Sequence, residues 1–444
     1  MLSYSEALAY LDQFDNYEKV RTPQAGPPAL GLAGVEALLA HLGDPHQQYP
    51  IIHIAGTNGK GSVCAMIETK ARASSLRTGL YISPHLHTFR ERICINGVPI
   101  ARDEVATLIN ELIPYIESVP NLTWFEIVTA MGLLHFVRQK VQLAIVEVGA
   151  GGQLDATNVV RPWVSVITTL SLDHTAWLGK TLTQIAAQKA GIIKPGVPVV
   201  SAPQQPEALA VIERVCVERQ SPLTVVGRDV KFERVSASLA EQAFTLRNAD
   251  SNQSPMLYKV PLLGPHQITN AATAVTALNL AAAHGLSVSD EAMHVGLANV
   301  RWPGRLEILN RDPLVVVDGA HNADSARQLA AALPDIFGVQ AWTLIVGISA
   351  DKDIAAILDA LVPIAAHVIV TRARNSRAAD IEMVAQQVIA HGAQPAIAPS
   401  VAEAIEVVLP DRSPIIIAGS LFTVADAREA WARRSGVEIQ ETDN

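Results

Sequence analysis

Short apolar runs alternate with amphipathic segments along most of this chain. Runs such as IIHIA (51–55), LAIVEVG (143–149) and VSVITT (164–169) are rich in β-branched residues, which is typical of strands buried in a parallel sheet. Between them, segments such as DEVATLINELIPYIESV (103–119) and FEIVTAMGLLHFVRQ (125–139) repeat apolar residues with the helical period. This alternation predicts an α/β fold on a mostly parallel, doubly wound sheet.

The pattern changes between residues 225 and 263, where polar and apolar residues alternate in VKFERV, AFTLRN and LYKVPL. Such alternation predicts half-buried strands, so we expect an antiparallel insert on one side of the sheet. Helices are predicted from about 268 to 283 and from 289 to 298. The first 50 residues predict two helices joined by a Pro- and Gly-rich loop, RTPQAGPPALG (21–31), which is either a lid or an ordinary surface loop.

A second alternating unit follows the linker WPGR (302–305), with apolar strands predicted in LVVVDG, TLIVGI, HVIVTR and PIIIAG. A chain of 444 residues exceeds one typical core, so two domains are expected. We predict a larger N-terminal domain, residues 1–301, which carries the phosphate loop described below. A smaller, Rossmann-like α/β domain would span residues 305–444.

Composition and charge narrow the class of protein. Hydrophobic residues make up 49% of the chain and charged residues 17%, which suits a globular enzyme. The net charge of -9 argues against nucleic acid or an anionic membrane as a partner, and no apolar run is long enough to cross a bilayer. The three cysteines have no metal-binding spacing, and the N-terminus is unlike a signal peptide. We therefore expect a cytoplasmic protein with small-molecule substrates.

Residues 51–62, IIHIAGTNGKGS, combine a strand, a glycine-rich turn and the start of a helix. The backbone N–H groups of such a turn, the helix dipole and the charge of Lys60 together favour an anion. The stretch departs from the strict phosphate-loop pattern, because only two residues separate its first two glycines and a third glycine follows Lys60. The pattern favours a phosphate loop over an ordinary strand–turn–helix connection.

Polar residues lie at predicted strand ends, where ligands collect in open α/β sheets. Glu147 lies at the end of LAIVEVG and is either a magnesium ligand or a turn residue bonded to the backbone. Asp173 and His174 follow the next strand. A lone histidine is usually structural, but one near a phosphate loop and a second carboxylate indicates a functional site.

Further candidates lie in a predicted helix and in the second domain. Asp318 ends LVVVDG and is followed by His321 and Asn322, and either Asn322 or Asp324 fits the cap of the next helix. Lys189 lies within the predicted helix AAQKAG, where the pattern alone predicts a solvated lysine. A phosphate loop, a carboxylate and a histidine on neighbouring strands describe a nucleotide–magnesium site. Two domains closing on it suit an ATP-driven transfer.

A series of motifs, which occur in one order along the chain, indicates a particular protein family. With these motifs the chain resembles the folylpolyglutamate synthase and dihydrofolate synthase family, relatives of the Mur ligases, over nearly its whole length. The short glycine loop is the normal form in that family. The motifs are HIAGTNGKGS (53–62), SPHL (83–86), ERICING (91–97), VEVGAGGQLDATN (146–158), LDHTAWLG (172–179), QKAGIIKPG (188–196), HQITNAATA (266–274), WPGRLE (302–307) and VVDGAHN (316–322).

The resemblance implies ATP-dependent amide formation: a dihydropteroate or reduced-folate carboxylate becomes an acyl phosphate, and L-glutamate then displaces the phosphate. It implies two Mg²⁺ ions and a CO₂-derived carbamate on Lys189, in an enzyme that is expected to be a monomer. The catalytic residues it implies are Lys60, Lys189 and His321. The metal ligands it implies are Ser83, Glu147, His174 and Lys189. The implied ATP-binding residues are Gly56, Thr57, Asn58, Gly59, Lys60, Gly61, Ser62, Asn270, Arg305 and Asp318, and the implied substrate contacts are Phe125, Asp155 and Ser420.

The chain departs from the family pattern in two places, and the first bears on the substrate more than on the reaction. Ala150 and Gln153 replace the usual leucine and arginine, which removes a positive charge near Glu147 and Asp155. GISADKD (347–353) also differs, and the pattern assigns it no role. We expect a bifunctional enzyme that adds the first glutamate to dihydropteroate and later ones to reduced folates; the alternative is a folylpolyglutamate synthase only.

Two other classes fit the residues less well. A Mur-type ligase acting on a nucleotide-linked peptide would need a uridine-binding domain before the phosphate loop, for which about 50 residues are too few. A nucleotide-binding module that gates a partner would explain the loop, but not Glu147, His174 and Lys189 together.

Overall fold

The structure is a computed structural model that describes residues 1–18, 31–251, 254–437 and 439. The Pro- and Gly-rich loop predicted at 21–31 therefore lies outside the described residues, except for Gly31. No described helix is long and apolar enough to span a membrane.

Strands of the described residues form three sheets. In chain order they are β1 (Ile51–Ala55), β2 (Thr78–Tyr81), β3 (Ile93–Ile95), β4 (Val98–Pro99), β5 (Leu143–Glu147), β6 (Val164–Ile167), β7 (Val199–Ser201), β8 (Leu223–Val225), β9 (Val230–Ala237), β10 (Gln242–Asn248), β11 (Met256–Val260), β12 (Glu307–Arg311), β13 (Leu314–Val317), β14 (Trp342–Val346), β15 (Ala365–Val370), β16 (Pro395–Ile397) and β17 (Ile415–Ala418).

Helices cover the faces of these sheets. They are α1 (Tyr4–Leu11), α2 (Ala33–His41), α3 (Lys60–Ala73), α4 (Arg102–Ser118), α5 (Trp124–Arg138), α6 (Thr175–Leu178), α7 (Leu182–Ala190), α8 (Pro206–Glu218), α9 (Pro265–Ala283), α10 (Asp290–Ala298), α11 (Ala323–Phe337), α12 (Ile354–Leu361), α13 (Ile381–Ala390), α14 (Val401–Val408) and α15 (Leu421–Ser435).

The largest sheet has the strand order β4-β3-β2-β5-β1-β6-β7-β8, parallel from β2 to β8. β1 lies between β5 and β6, so every one of its residues is buried. Ile52 and Ile54 pack with α3 and α9 on one face, while Ile51 packs with α4 and α5 on the other. Successive strand residues point to opposite faces, so the β-branched run predicted as a buried strand fills both cores at once.

The other two sheets are smaller. β9, β10 and β11 form the predicted antiparallel insert, and its Phe244 and Tyr258 pack into the core that contains α3 and α9. The third sheet has the order β12-β13-β17-β14-β15-β16 and is parallel from β13 to β16. These sheets confirm the predicted fold class. Residues 1–301 and 305–437 are called the first unit and the second unit below.

Three local features differ from the sequence-based expectations. ERICING is a strand only over Ile93–Ile95, which follows a 3₁₀ turn and pairs antiparallel with β2 and with the edge strand β4. β12 is an antiparallel edge strand that the pattern did not predict. Lys189 lies in the last turn of α7 and is 5% exposed, so the solvated lysine predicted by the helical pattern alone is wrong. The reason is tertiary, because the last turn of α7 packs beneath the loop after β1.

Candidate active site

A cleft of about 550 Å³ opens where the carboxyl ends of the first sheet face the second unit. Its walls come mainly from the loops after β1, β2, β5, β6 and β13, the positions at which α/β sheets bind ligands. Most of the predicted site residues line this one cleft. They are Gly56, Thr57, Asn58, Gly59, Lys60, Gly61, Ser62, Ser83, Glu147, His174, Lys189, Asn270, Arg305, Asp318 and His321.

The turn between β1 and α3 is packed too closely for side chains at two glycines. A Cβ atom on Gly56 would lie 1.7 Å from Oγ1 of Thr168, and one on Gly59 would lie 2.4 Å from Oδ1 of Asn270. Gly59 also has a φ of +89°, in the left-handed region. The glycines therefore let the backbone turn sharply while it contacts β6 and α9.

The anion donors of this turn belong to the start of α3. The N–H groups of Thr57 and Asn58 both donate to the carbonyl oxygen of Thr169 at 3.1 Å, so they are used inside the protein. The first N–H groups of α3, which begins at Lys60, have no acceptor within the helix. Together with the charge of Lys60 they form the anion-binding part of the loop.

Glu147 is a buried carboxylate at the end of β5. Burial raises its pKa to about 7, although Lys60, with Nζ 4.0 Å from Oε1, acts in the opposite direction. The N–H of Ser83 donates to Oε2 at 3.3 Å, which brings the loop after β2 against this carboxylate. Because burial outweighs the nearby positive charge, a bound cation would stabilise the ionised carboxylate.

The donor set fits magnesium in particular. Within the described ranges, no group of three or more His, Cys, Asp or Glu side chains could hold a metal by itself. Mg²⁺ prefers oxygen ligands and takes several of them from phosphates and water, so it requires few from the protein. The carboxylate of Glu147 and the hydroxyl of Ser83, beside an anion-binding turn, meet that requirement.

Lys189 contacts the same turn from below. Its Nζ donates to the carbonyl oxygen of Gly56 at 2.8 Å. Burial, and then the charge of Lys60, lower the pKa of Lys189 to about 7. A lysine of this kind has a large neutral fraction near neutral pH and is therefore nucleophilic.

Asp173 and His174 lie in the loop after β6. Nε2 of His174 lies 3.9 Å from the Asp173 carboxylate, and the His174 side chain is 40% exposed to the cleft. Burial alone would raise the pKa of Asp173. Contact with His321 and the positive charge of Lys352 instead hold it well below its ordinary value of 3.8.

Asp318 organises the loop after β13. Its Oδ2 accepts from the N–H of Leu306 and its Oδ1 from the N–H of Ala320, each at 2.8 Å. The carboxylate therefore ties the linker side of the second unit to the strand end. Arg305 lines the cleft nearby, and burial lowers its pKa although the charges of Asp318 and Glu147 act against this.

His321 has a defined tautomer. Its Nδ1 lies 2.8 Å from the carbonyl oxygen of Gly319 and must donate, so this nitrogen carries a proton. Nε2 is then directed at the first unit, 3.6 Å from the carboxylate of Asp173.

Asn58 connects the phosphate loop to the start of α11. Its Nδ2 donates to Asp324 at 2.9 Å, and its Oδ1 accepts from Nδ2 of Asn322 at 3.0 Å. Asn322 also caps α11, since its Oδ1 accepts from the N–H of Ser325 at 2.9 Å. The structure thus assigns the cap to Asn322 and leaves Asp324 to contact the loop.

Three predicted substrate residues are not among the side chains that line the cleft. Asp155 accepts from the N–H groups of Ala150 at 2.8 Å and Thr157 at 3.0 Å, which fixes the loop after β5. The ring of Phe125 packs against Gly149, and the hydroxyl of Ser420 accepts from Thr423 at the start of α15. Their assignment to the pterin or glutamate side stays a prediction.

The sequence does not predict two side chains that lie in or beside the cleft. Lys352, within the GISADKD segment that had no assigned role, donates to Oδ1 of Asp173 at 2.6 Å. Trp302, in the WPGR linker, places its ring 2.9 Å from where a Cβ on Gly61 would lie. The sequence marks WPGR as a linker and GISADKD as a departure from the family pattern, but the partners of Trp302 and Lys352 lie more than 170 residues away, and no local pattern identifies them.

Comparison with protein families identifies two matches. The Mur ligase middle domain matches residues 54–278, and the glutamate ligase domain of Mur ligases matches residues 304–421.

Individual relatives match over almost the whole chain. The folylpolyglutamate synthase of Lacticaseibacillus casei is 36% identical over 96% of this chain and 98% of its own length. The dihydrofolate synthase/folylpolyglutamate synthase of Escherichia coli is 33% identical over 94% of this chain and 99% of its own length. A "probable bifunctional folylpolyglutamate synthase/dihydropteroate synthase" of Haloferax volcanii is 37% identical over 97% of this chain, which spans only 51% of that protein.

Solved structures agree with the sequence matches. Folylpolyglutamate synthase of Mycobacterium tuberculosis complexed with ADP has a TM-score of 0.86 at 33% identity, covering 97% of this chain and 98% of that one. E. coli FolC in complex with DHPP and ADP has a TM-score of 0.85 at 29% identity, covering 98% and 99%.

Proposed function

This chain belongs to the folylpolyglutamate synthase/dihydrofolate synthase family, and we propose that it is an ATP-dependent ligase that joins L-glutamate to a pteroate or folate carboxylate. One observation carries the proposal. A single cleft combines an anion-binding turn, the buried Glu147 and the buried Lys189, and it faces Asp318 and His321 of the second unit.

The first step forms an acyl phosphate. A carboxylate oxygen of the pteroate or folate attacks the γ-phosphorus of ATP, the bond to the bridging oxygen breaks, and ADP leaves. Lys60 and the first N–H groups of α3 offset the charge of the phosphates during this transfer. Asn270 and Arg305, which line the same cleft, would contact the nucleotide, and Asp318 would approach it from the second unit.

The second step forms the amide. The amine of L-glutamate attacks the acyl carbon, the tetrahedral intermediate expels inorganic phosphate, and the nitrogen releases its proton to solvent. His321 would lie at this end of the cleft, with Nδ1–H held by the carbonyl of Gly319. Holding both reactants in a closed cleft supplies much of the acceleration.

The residues fit two magnesium ions, for which Ser83 and Glu147 would be protein ligands of the first and His174 of the second. When bound, the ions neutralise charge between the phosphates and the incoming carboxylate. A carbamate on Lys189 would supply an oxygen ligand for the second. It forms when neutral Nζ attacks CO₂ and releases one proton, and the pKa of about 7 at Lys189 supports this reaction.

We propose that both dihydropteroate and reduced folates are acceptors, because a relative with both activities in its name matches 94% of the chain. We also propose a monomeric, cytoplasmic enzyme with domains at 1–301 and 305–444; the two family matches, to residues 54–278 and 304–421, support this boundary.

The test incubates the purified protein with ATP, Mg²⁺, L-glutamate and either dihydropteroate or tetrahydrofolate, and measures ADP. We expect release with both acceptors, and none when glutamate is omitted. Release with tetrahydrofolate alone would contradict the bifunctional proposal, and no release with either would contradict the ligase.

A further inference from the structure

Lys352 and Asp173 form a buried ion pair between the two units. Nζ of Lys352 lies 2.6 Å from Oδ1 of Asp173, and the side chains are 8% and 9% exposed. The residues are 179 positions apart in the sequence. Moving the units apart would separate this pair and leave a buried charge without its partner, which is costly. The contact therefore favours the observed arrangement of the units.

Several side chains of the second unit lie close to Asp173. Besides Lys352, Nδ2 of Asn322 donates to Oδ2 at 3.3 Å, and Nε2 of His321 lies 3.6 Å from the same oxygen. Three side chains from two loops of the second unit thus converge on one carboxylate of the first. A carboxylate has enough lone pairs to accept the hydrogen bonds of Lys352 and Asn322 together, one on each oxygen.

The loop that carries Asp173 is bonded to the phosphate loop. The carbonyl of Thr169 accepts the N–H groups of Thr57 and Asn58, and the N–H of Ser171 donates to Oγ1 of Thr57 at 3.2 Å. These bonds hold Asp173 in a fixed position beside the turn that binds the phosphates.

We propose that Lys352 is a positioning residue that holds the second unit closed over the phosphate loop by binding Asp173, so that His174 and His321 face one cleft. Lys352 does not touch the reacting atoms; it acts through Asp173. The effect on turnover rests on the proposed ligase function, whereas closure itself does not.

The experiment compares the wild type with Lys352→Met and Lys352→Arg. Lys352→Met keeps most of the side-chain volume but removes the charge, so we expect kcat for ADP release to fall at least 30-fold. We expect the Kd for ADP, from calorimetry, to rise by a much smaller factor than kcat falls, because the anion-binding turn belongs to the first unit and opening removes only the contacts from the second unit. Lys352→Arg keeps the charge and should restore at least a third of the wild-type kcat.

Arg234→Met is the matched control. Arg234 on β9 pairs with Asp335 on α11, also across the two units, but both side chains are about one-third exposed and outside the cleft. Its kcat should stay within twofold of the wild type. Any other pattern among the three variants, including a kcat of Lys352→Met within threefold of wild type or a matching loss of ADP affinity, overturns the proposal.

A second readout separates this proposal from the ligase function. Small-angle X-ray scattering of the ADP-bound proteins should show a larger radius of gyration for Lys352→Met than for wild type and Arg234→Met. If the wild type is not a ligase but this difference is present, the proposed function fails and closure by Lys352 stands. Identical scattering from all three proteins would overturn closure by Lys352.

Discussion

Nζ of Lys189 lies 2.8 Å from the backbone carbonyl oxygen of Gly56, which places a buried amine directly beneath the phosphate loop. The amine donates to a neutral acceptor, and the negative charges of Asp173 and Asp155, which favour its charged form, are outweighed by burial. Burial lowers its pKa to about 7. This relationship gives Lys189 the reactivity that carbamate formation requires.

Lys189→Ala should lower ligase activity by orders of magnitude, because it removes both the amine and the oxygen ligand proposed to form on it. Added bicarbonate should not restore the activity. ¹³C NMR of wild type in ¹³C-bicarbonate should show a carbamate signal that Lys189→Ala lacks and the exposed-lysine variant Lys180→Ala keeps. Full activity in Lys189→Ala would rule out the carbamate role.

The raised pKa of Glu147 predicts that the stability of the folded protein depends on pH. Its folded-state pKa of about 7 exceeds the ordinary value of 4.5, so the native state holds this proton more tightly than the unfolded state. In the absence of Mg²⁺ and nucleotide, Glu147 makes its full contribution to the free energy of unfolding below pH 4.5. This contribution, about 3 kcal/mol, is lost as the pH rises through 7.

Urea unfolding at pH 5 and pH 8 measures this loss. Glu147→Gln should remove most of it, since glutamine does not titrate, and should also abolish Mg²⁺-dependent ADP release. The half-exposed Glu241, changed to Gln, should leave the pH dependence as in wild type. Equal pH dependence in wild type and Glu147→Gln would contradict the raised pKa.

Gly59→Ala should raise the KM for ATP at least 100-fold. The new Cβ would lie 2.4 Å from Oδ1 of Asn270, and the residue needs a φ of +89°, so the turn and α9 must separate. Steady-state kinetics measures the effect. Gly196→Ala is the control, because Gly196 also has a positive φ, +75°, but no atom lies within 4 Å of its added Cβ. A similar KM for the two variants would show that packing on Asn270 is unimportant.

Asp318→Asn should destabilise the protein by about 1–3 kcal/mol. The two carboxylate oxygens accept from Leu306 and Ala320, whereas an asparagine has one acceptor oxygen and directs its amide N–H₂ at a backbone donor. Thermal unfolding measures the Tm of Asp318→Asn and of the control Asp312→Asn. The carboxylate of Asp312 is 81% exposed, so little change in Tm is expected for the control. A Tm equal to wild type would show that these backbone bonds do not stabilise the loop.

Much of the fold was predictable from local pattern. The structure confirms the β-branched run of β1, the helical period of α4 and α5 and the alternation of β9 to β11. Each of these patterns depends only on residues that are close together in the chain. β12 was missed because its sequence, EILNR, has neither a buried run nor clear alternation. An edge strand next to a linker is specified mainly by the strand it pairs with.

Local sequence specifies most of the strands and helices, the glycine turn and the series of motifs that indicates the family, because these depend on residues close together in the chain. Tertiary structure alone decided which polar residues meet. Lys189 became buried beneath Gly56, 133 positions away, and Lys352 was brought to Asp173. Burial and distance set the charge state and the partners of a side chain, and both depend on how the two units fold against each other rather than on the neighbouring sequence.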